Sequence, residues 1–85
     1  MNSMIIIGRV ADNPTCVSGC TLFEIVNNTI RDGEEIVMRS KIIAQGKQAV
    51  LIQKYLSKGN LCCIEGTPSG DTLICHRITF LSGRK

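Results

Sequence analysis

The side chains able to do chemistry in this sequence are few, and most are poorly spaced for it. The chain has a single histidine, His76, and five cysteines, Cys16, Cys20, Cys62, Cys63 and Cys75. Cys62-Cys63 and Cys75-His76 are adjacent pairs, and neighbours on a strand point to opposite faces, so neither pair can chelate as a unit. A mixed set such as Cys62 with Cys75 across neighbouring strands still lacks a third and fourth ligand of usual spacing. No metal and no other cofactor is expected, and the cysteines read as core or interface thiols. The carboxylates are scattered over turns, and the sequence holds neither a Gly-rich phosphate loop nor a nucleophile motif. A non-enzymatic protein without catalytic residues is therefore expected. What remains is positive charge: Arg39 and Lys41 alternate along one stretch and Lys47 follows, a row suited to phosphate contact.

The elements that carry this row are legible from periodicity. From Ile36 to Gln45 the residues alternate, with Ile36, Met38, Ser40, Ile42 and Ala44 on one face and Val37, Arg39, Lys41, Ile43 and Gln45 on the other. Gly46 breaks the strand. Gln48 to Leu56 brings Ala49, Ile52, Tyr55 and Leu56 onto one helical stripe, and Lys58-Gly59 has the character of its C-cap. Leu61 to Glu65 is the next strand, closed by Gly66. Upstream, Met4 to Val10 is an apolar strand in which Gly8 is expected to mark a bulge or bend. Asp12-Asn13-Pro14 turns the chain, and Thr15–Val17 and Cys20–Asn27 flank a tight Ser18-Gly19 hairpin. Phe23 and Ile25 point one way, and Glu24 and Val26 the other. Arg31-Asp32-Gly33 gives a short turn into the central strand. Thr67 to Asp71 is expected to turn into a last strand, Thr72–Leu81, before the short basic end Ser82–Lys85.

Length and composition bound the rest. Eighty-five residues make one domain, with 44% hydrophobic residues for one core and a formal charge of +3 that permits a polyanionic partner. No apolar run approaches the roughly 20 residues of a membrane span, so no membrane partner is expected. An odd number of cysteines argues against an extracellular disulfide framework, and a cytoplasmic protein with reduced thiols is expected.

The order of strand, Gly46-Lys47, helix, Tyr55-Leu56-x-Lys58-Gly59, strand and Ile64-Glu65-Gly66 resembles the middle of bacterial single-stranded DNA-binding proteins. Ser3 to Pro14 resembles their first strand, and Phe23-x-Ile25 matches core positions of their second. The likeness spans nearly the whole chain. It implies a single all-β OB-fold domain over residues 1–85, a five-stranded barrel with one short helix between strands 3 and 4. It further implies non-specific binding of single-stranded DNA in replication, repair or recombination. The expected nucleic-acid site comprises Arg39, Lys41, Ile43, Gln45, Lys47 and Lys58; of these, Lys41, Lys47 and Lys58 fall where the family carries basic residues. Met4, Ile5, Ile6 and Ile7 are the expected interface of a homodimer or homotetramer, with other replication proteins as further partners. The departures are equally specific. Arg39 and Gln45 stand where stacking aromatics belong, there is no Trp, both loops beside the third strand are cut to turns, and Ser40 replaces a bulkier interface residue. Each lost stack removes about 1–3 kcal/mol, so binding is expected to lean on phosphates. Two alternatives follow: a primosomal replication protein N-like dimer, or an OB-derived protein-interaction module that has lost DNA binding.

Overall fold

A computed structural model describes residues 3–81. Its elements are β1 (Met4–Val10), β2 (Thr15–Val17), β3 (Cys20–Arg31), β4 (Glu34–Ala44), α1 (Gly46–Tyr55), β5 (Leu61–Ser69) and β6 (Thr72–Phe80). β5 pairs with β1 on one side and β6 on the other, β6 with β4, and β4 with β3. β3 then returns to β1 at Val26↔Arg9 and Ile25↔Val10, which closes the sheet into a barrel. Every pairing is antiparallel except β4 with β6, parallel over Lys41–Ile43. This is the expected all-β OB barrel, with its helix between the third and fourth barrel strands, β4 and β5. β2, a three-residue strand hairpinned onto β3, is additional to the five.

Alternation explains which residues enter the barrel. Phe23 lies across from Ile42 and Thr21 from Ala44, and all four are buried together with Val10, Ile25, Cys62, Ile64, Leu73 and Cys75. α1 contributes Ala49 and Ile52, and Leu56 enters the core just beyond it. Thr21 is fully buried yet satisfied, since its hydroxyl donates to the Ala49 carbonyl at 3.4 Å and accepts from Gln53 Nε2 at 3.0 Å. That exchange fastens α1 to β3, as buried polar groups require partners.

Several local expectations are corrected. α1 begins at Gly46 rather than Gln48 and ends at Tyr55 rather than Leu56, which is its C-cap: the Leu56 amide donates to the Ile52 carbonyl at 2.9 Å and its backbone is already extended. Gly59 therefore does not cap the helix. It lies in a following turn tied by Ser57 N to Asn60 Oδ1 at 2.9 Å, and its amide donates to the Val10 carbonyl at 2.8 Å. The β3–β4 ribbon is longer than expected, paired from Thr21↔Ala44 out to Arg31↔Glu34. Its Asp32-Gly33 turn has φ of 55° and 80°, the two positive values of the turn that suits the twist of a two-residue hairpin. The β5–β6 connection shrinks to Gly70-Asp71, because Ser69 already pairs with Thr72. Pro68 is accommodated within β5 because β1's pairing has ended at Gly66.

Gly8 marks no bulge, for β1 pairs with β5 without a break from Met4↔Gly66 to Arg9↔Leu61. It is where β1 crosses close over β3: a Cβ there would lie 2.6 Å from Ile25 Cγ2 and 2.7 Å from the Val26 carbonyl oxygen. The register shift lies instead between β5 and β6, where Glu65 faces Arg77 but Gly66 faces Cys75, leaving His76 as the extra residue. A Cβ at Gly66 would run into the Ile74 carbonyl. The basic end Ser82–Lys85 lies outside the described residues.

Candidate nucleic-acid interface

The side chains expected to meet DNA are carried by β4 and by the two segments that follow it. Because Ile42 and Ala44 are drawn into the core, Arg39, Lys41 and Ile43 must face outward, and Gln45 continues their row into the first turn of α1. Register sets their neighbours: Val26, Glu24 and Leu22 stand across on β3, and Thr72 and Ile74 beside Lys41 and Ile43 on β6. Gln45 Nε2 lies 3.6 Å from Cys20 Sγ. The face is bounded by the segment between β1 and β2. A cleft of about 590 Å³ is lined by Asp12, Asn13, Thr15, Leu22, Glu24, Lys41 and Thr72.

The other two lysines are separated from this row. Lys47 opens onto a different cleft, between the β2–β3 hairpin and α1, in company with Cys16, Thr21, Val50 and Lys54. Lys58 is tied to the first groove through its backbone, whose amide donates to Asn13 Oδ1 at 2.8 Å. The six expected residues thus fall into three groups, and only Arg39, Lys41, Ile43 and Gln45 form one strand row.

Two acidic residues complete the site, and charge spacing alone did not place them there. Arg39 Nη1 donates to Glu24 Oε1 at 3.1 Å, and Lys41 Nζ to Asp71 Oδ2 at 3.4 Å. The hydrogen bond from Lys41, together with one from the Thr72 hydroxyl, holds the Asp71 carboxyl below the usual carboxylate range. All four side chains reach solvent, so neither pair contributes much to stability. The outward position of Glu24 was legible from its alternation with Phe23 and Ile25. Its approach to Arg39 needed the register, and that of Asp71 needed the parallel β4–β6 pairing.

Aromatic rings are elsewhere. Phe23 is in the core, and Tyr55 packs edge-on against Phe80 at 5.9 Å between ring centres. The thiols are distributed as strand geometry dictates. Cys62 is fully buried, and burial, reinforced by the neighbouring Cys63 and Cys75 thiols, pushes it up to about 12. Cys63 faces the other way and is half-buried. His76 is exposed on the β6 bulge, its Nε2 2.6 Å from Thr67 Oγ1. Among the described residues no group of three or more His, Cys, Asp or Glu side chains is arranged to hold a metal ion.

No protein-family model matches the chain, and no curated protein matches its sequence. Among solved structures it is similar to the Plasmodium falciparum SSB complex with ssDNA, with a TM-score of 0.79 and 23% sequence identity over 96% of this chain and 96% of that one. A likeness of that extent at that identity establishes the fold: this chain is an OB-type barrel.

Proposed function

We propose that this protein binds single-stranded DNA without sequence preference along the outer face of β4, and that it acts as a homo-oligomer in replication, repair or recombination. The observation that carries the reading is the outward row Arg39, Lys41, Ile43, Gln45 on an OB barrel that resembles, over nearly its whole length, a protein solved with single-stranded DNA. Two cations two residues apart on a strand stand about 6.6 Å from each other, a spacing that lets one backbone reach both. With Phe23 buried beneath the groove it lines and no exposed ring on this face among the described residues, bases would rest on Leu22, Ile43 and Ile74, and phosphate contacts would dominate. The oligomer is supported by β1. Met4, Ile5 and Ile7 are 46%, 63% and 51% exposed, and β3 pairs with β1 only at Arg9 and Val10. An open apolar strand edge is a template for a second strand.

Titration of labelled oligo-dT at low and moderate salt tests this. Saturable binding that weakens with salt, by about 0.7 log units per log unit of salt for each phosphate contacted, is expected. A folded protein that fails to bind at low salt would overturn the reading and leave a protein-interaction module in its place.

A further inference from the structure

We propose that Glu24 and Asp71 occupy the phosphate positions of the β4 face when no nucleic acid is bound, so that DNA must displace two of the protein's own carboxylates to reach Arg39 and Lys41. This rests on the DNA-binding reading above and names the groups that limit its affinity. A carboxylate oxygen 3.1 Å from a guanidinium and another 3.4 Å from an ammonium use the donors that phosphate oxygens would use. The fold presents both acids there. Glu24 is cross-strand from Lys41 and diagonal to Arg39. Asp71 sits in the two-residue turn before Thr72, the residue that the parallel pairing sets beside Lys41. The Thr72 hydroxyl steadies the acid by donating to Asp71 Oδ1 at 3.2 Å.

Asp12 lines the same groove as Lys41 and Glu24. The face therefore sets two cations, Arg39 and Lys41, against three carboxylates, Asp12, Glu24 and Asp71. These five groups together carry no net positive charge with which to draw phosphate in. The face exchanges one anion for another. The exchange costs least at Asp71, whose side chain is 81% exposed and already largely hydrated, and more at Glu24, whose side chain is 38% exposed. Glu24 and Asp71 are thus affinity-limiting residues that need not touch DNA at all.

The test compares oligo-dT binding, by anisotropy at fixed low salt, of the parent with Asp71→Asn, Glu24→Gln and the double variant. Asp32→Asn is the control: it changes net charge equally at the far turn of the ribbon, and Asn tolerates the positive φ there. Each groove variant should bind roughly two- to fivefold more tightly, the range set by an exposed ion pair, while the control matches the parent. In a Lys41→Ala background the gain from Asp71→Asn should vanish. A parent that binds while the groove variants bind no tighter, or a control that gains as much as they do, overturns this inference and leaves the DNA-binding reading intact. Binding by the double variant alone, with a folded parent that does not bind, overturns the DNA-binding reading and this inference with it. Absence of binding by every variant, each shown to be folded by its melt, removes both.

Discussion

Replacing Gly8 with alanine tests the barrel's closure directly. The added methyl would stand 2.6 Å from Ile25 Cγ2 and 2.7 Å from the Val26 carbonyl oxygen, roughly 1 Å inside the usual 3.5–4.0 Å separation of packed carbon atoms. Ile25 is 1% exposed and cannot swing away. The carbonyl belongs to β3 backbone that pairs with β4 at Arg39. β1 must therefore lift from β3 at the one place where the two strands close the ring. Overpacking of this kind costs about 1–3 kcal/mol, and for a domain of this size each kcal/mol lowers Tm by roughly 4–8 °C. A drop of at least about 4 °C in a calorimetric or circular-dichroism melt is expected. Gly66→Ala should fall further, because its methyl meets the Ile74 backbone rather than a side chain. A Gly8→Ala protein melting within about 1 °C of the parent would refute the tight crossing.

Replacing Arg39 and Lys41 together by Ala should flatten the salt dependence of oligo-dT binding by about 1.4, from about 0.7 per contact on single strands; the same slope in the variant would move the site elsewhere. Arg39→Trp should tighten binding by up to about 1–3 kcal/mol if bases pass over that position. Because Cys62 is pushed from an ordinary thiol value of 9.0 to about 12, the contribution of its neutral form is fully present below pH 9. It is lost as pH rises toward 12, at about 1.4 kcal/mol per pH unit. Melts across that window should show the decline, and a Cys62→Ala protein should lack that component. Light scattering at micromolar concentration should report at least a dimer for the parent and a monomer for Ile5→Lys with Ile7→Lys; a monomeric parent would remove the β1 interface.

The barrel was legible where alternation is strict. Phe23 and Ile25 against Ile42 and Ala44 fixed both the core and the outward direction of Arg39 and Lys41, since a strand has only two faces. Local chemistry that depends on a partner strand was not legible. Gly8 reads as a bulge or bend until one knows that β3 passes beneath it, and the true irregularity at Gly66 has no sequence mark that distinguishes it from a strand end. The helix boundaries shifted because Leu56 leaves the helix to reach the core, a tertiary demand that overrides the cap signal of Lys58-Gly59. The acidic members of the site were hidden for the same reason: Asp71 lies thirty positions from the lysine it neutralises.

The length of the β3–β4 ribbon has a kinetic consequence. β1 reaches β3 no further than Val26, and β6 meets β4 only at Lys41–Ile43, so the pairs from Asn27↔Met38 to Arg31↔Glu34 form a ladder about 17 Å long flanked by no third strand among the described residues. Its amides on β4 are shielded by a single partner strand, and opening them leaves the barrel whole. Hydrogen exchange at Ile36 and Val37 should then follow a local opening and outpace Phe23 and Ile25, whose exposure requires the ring itself to break. On refolding the order reverses in sequence distance: the Asp32-Gly33 turn brings adjacent residues together within microseconds, whereas the β1–β5 and β4–β6 seams wait for chain segments far apart to meet. The arm that gives up its protons first is the part of the chain that can form first.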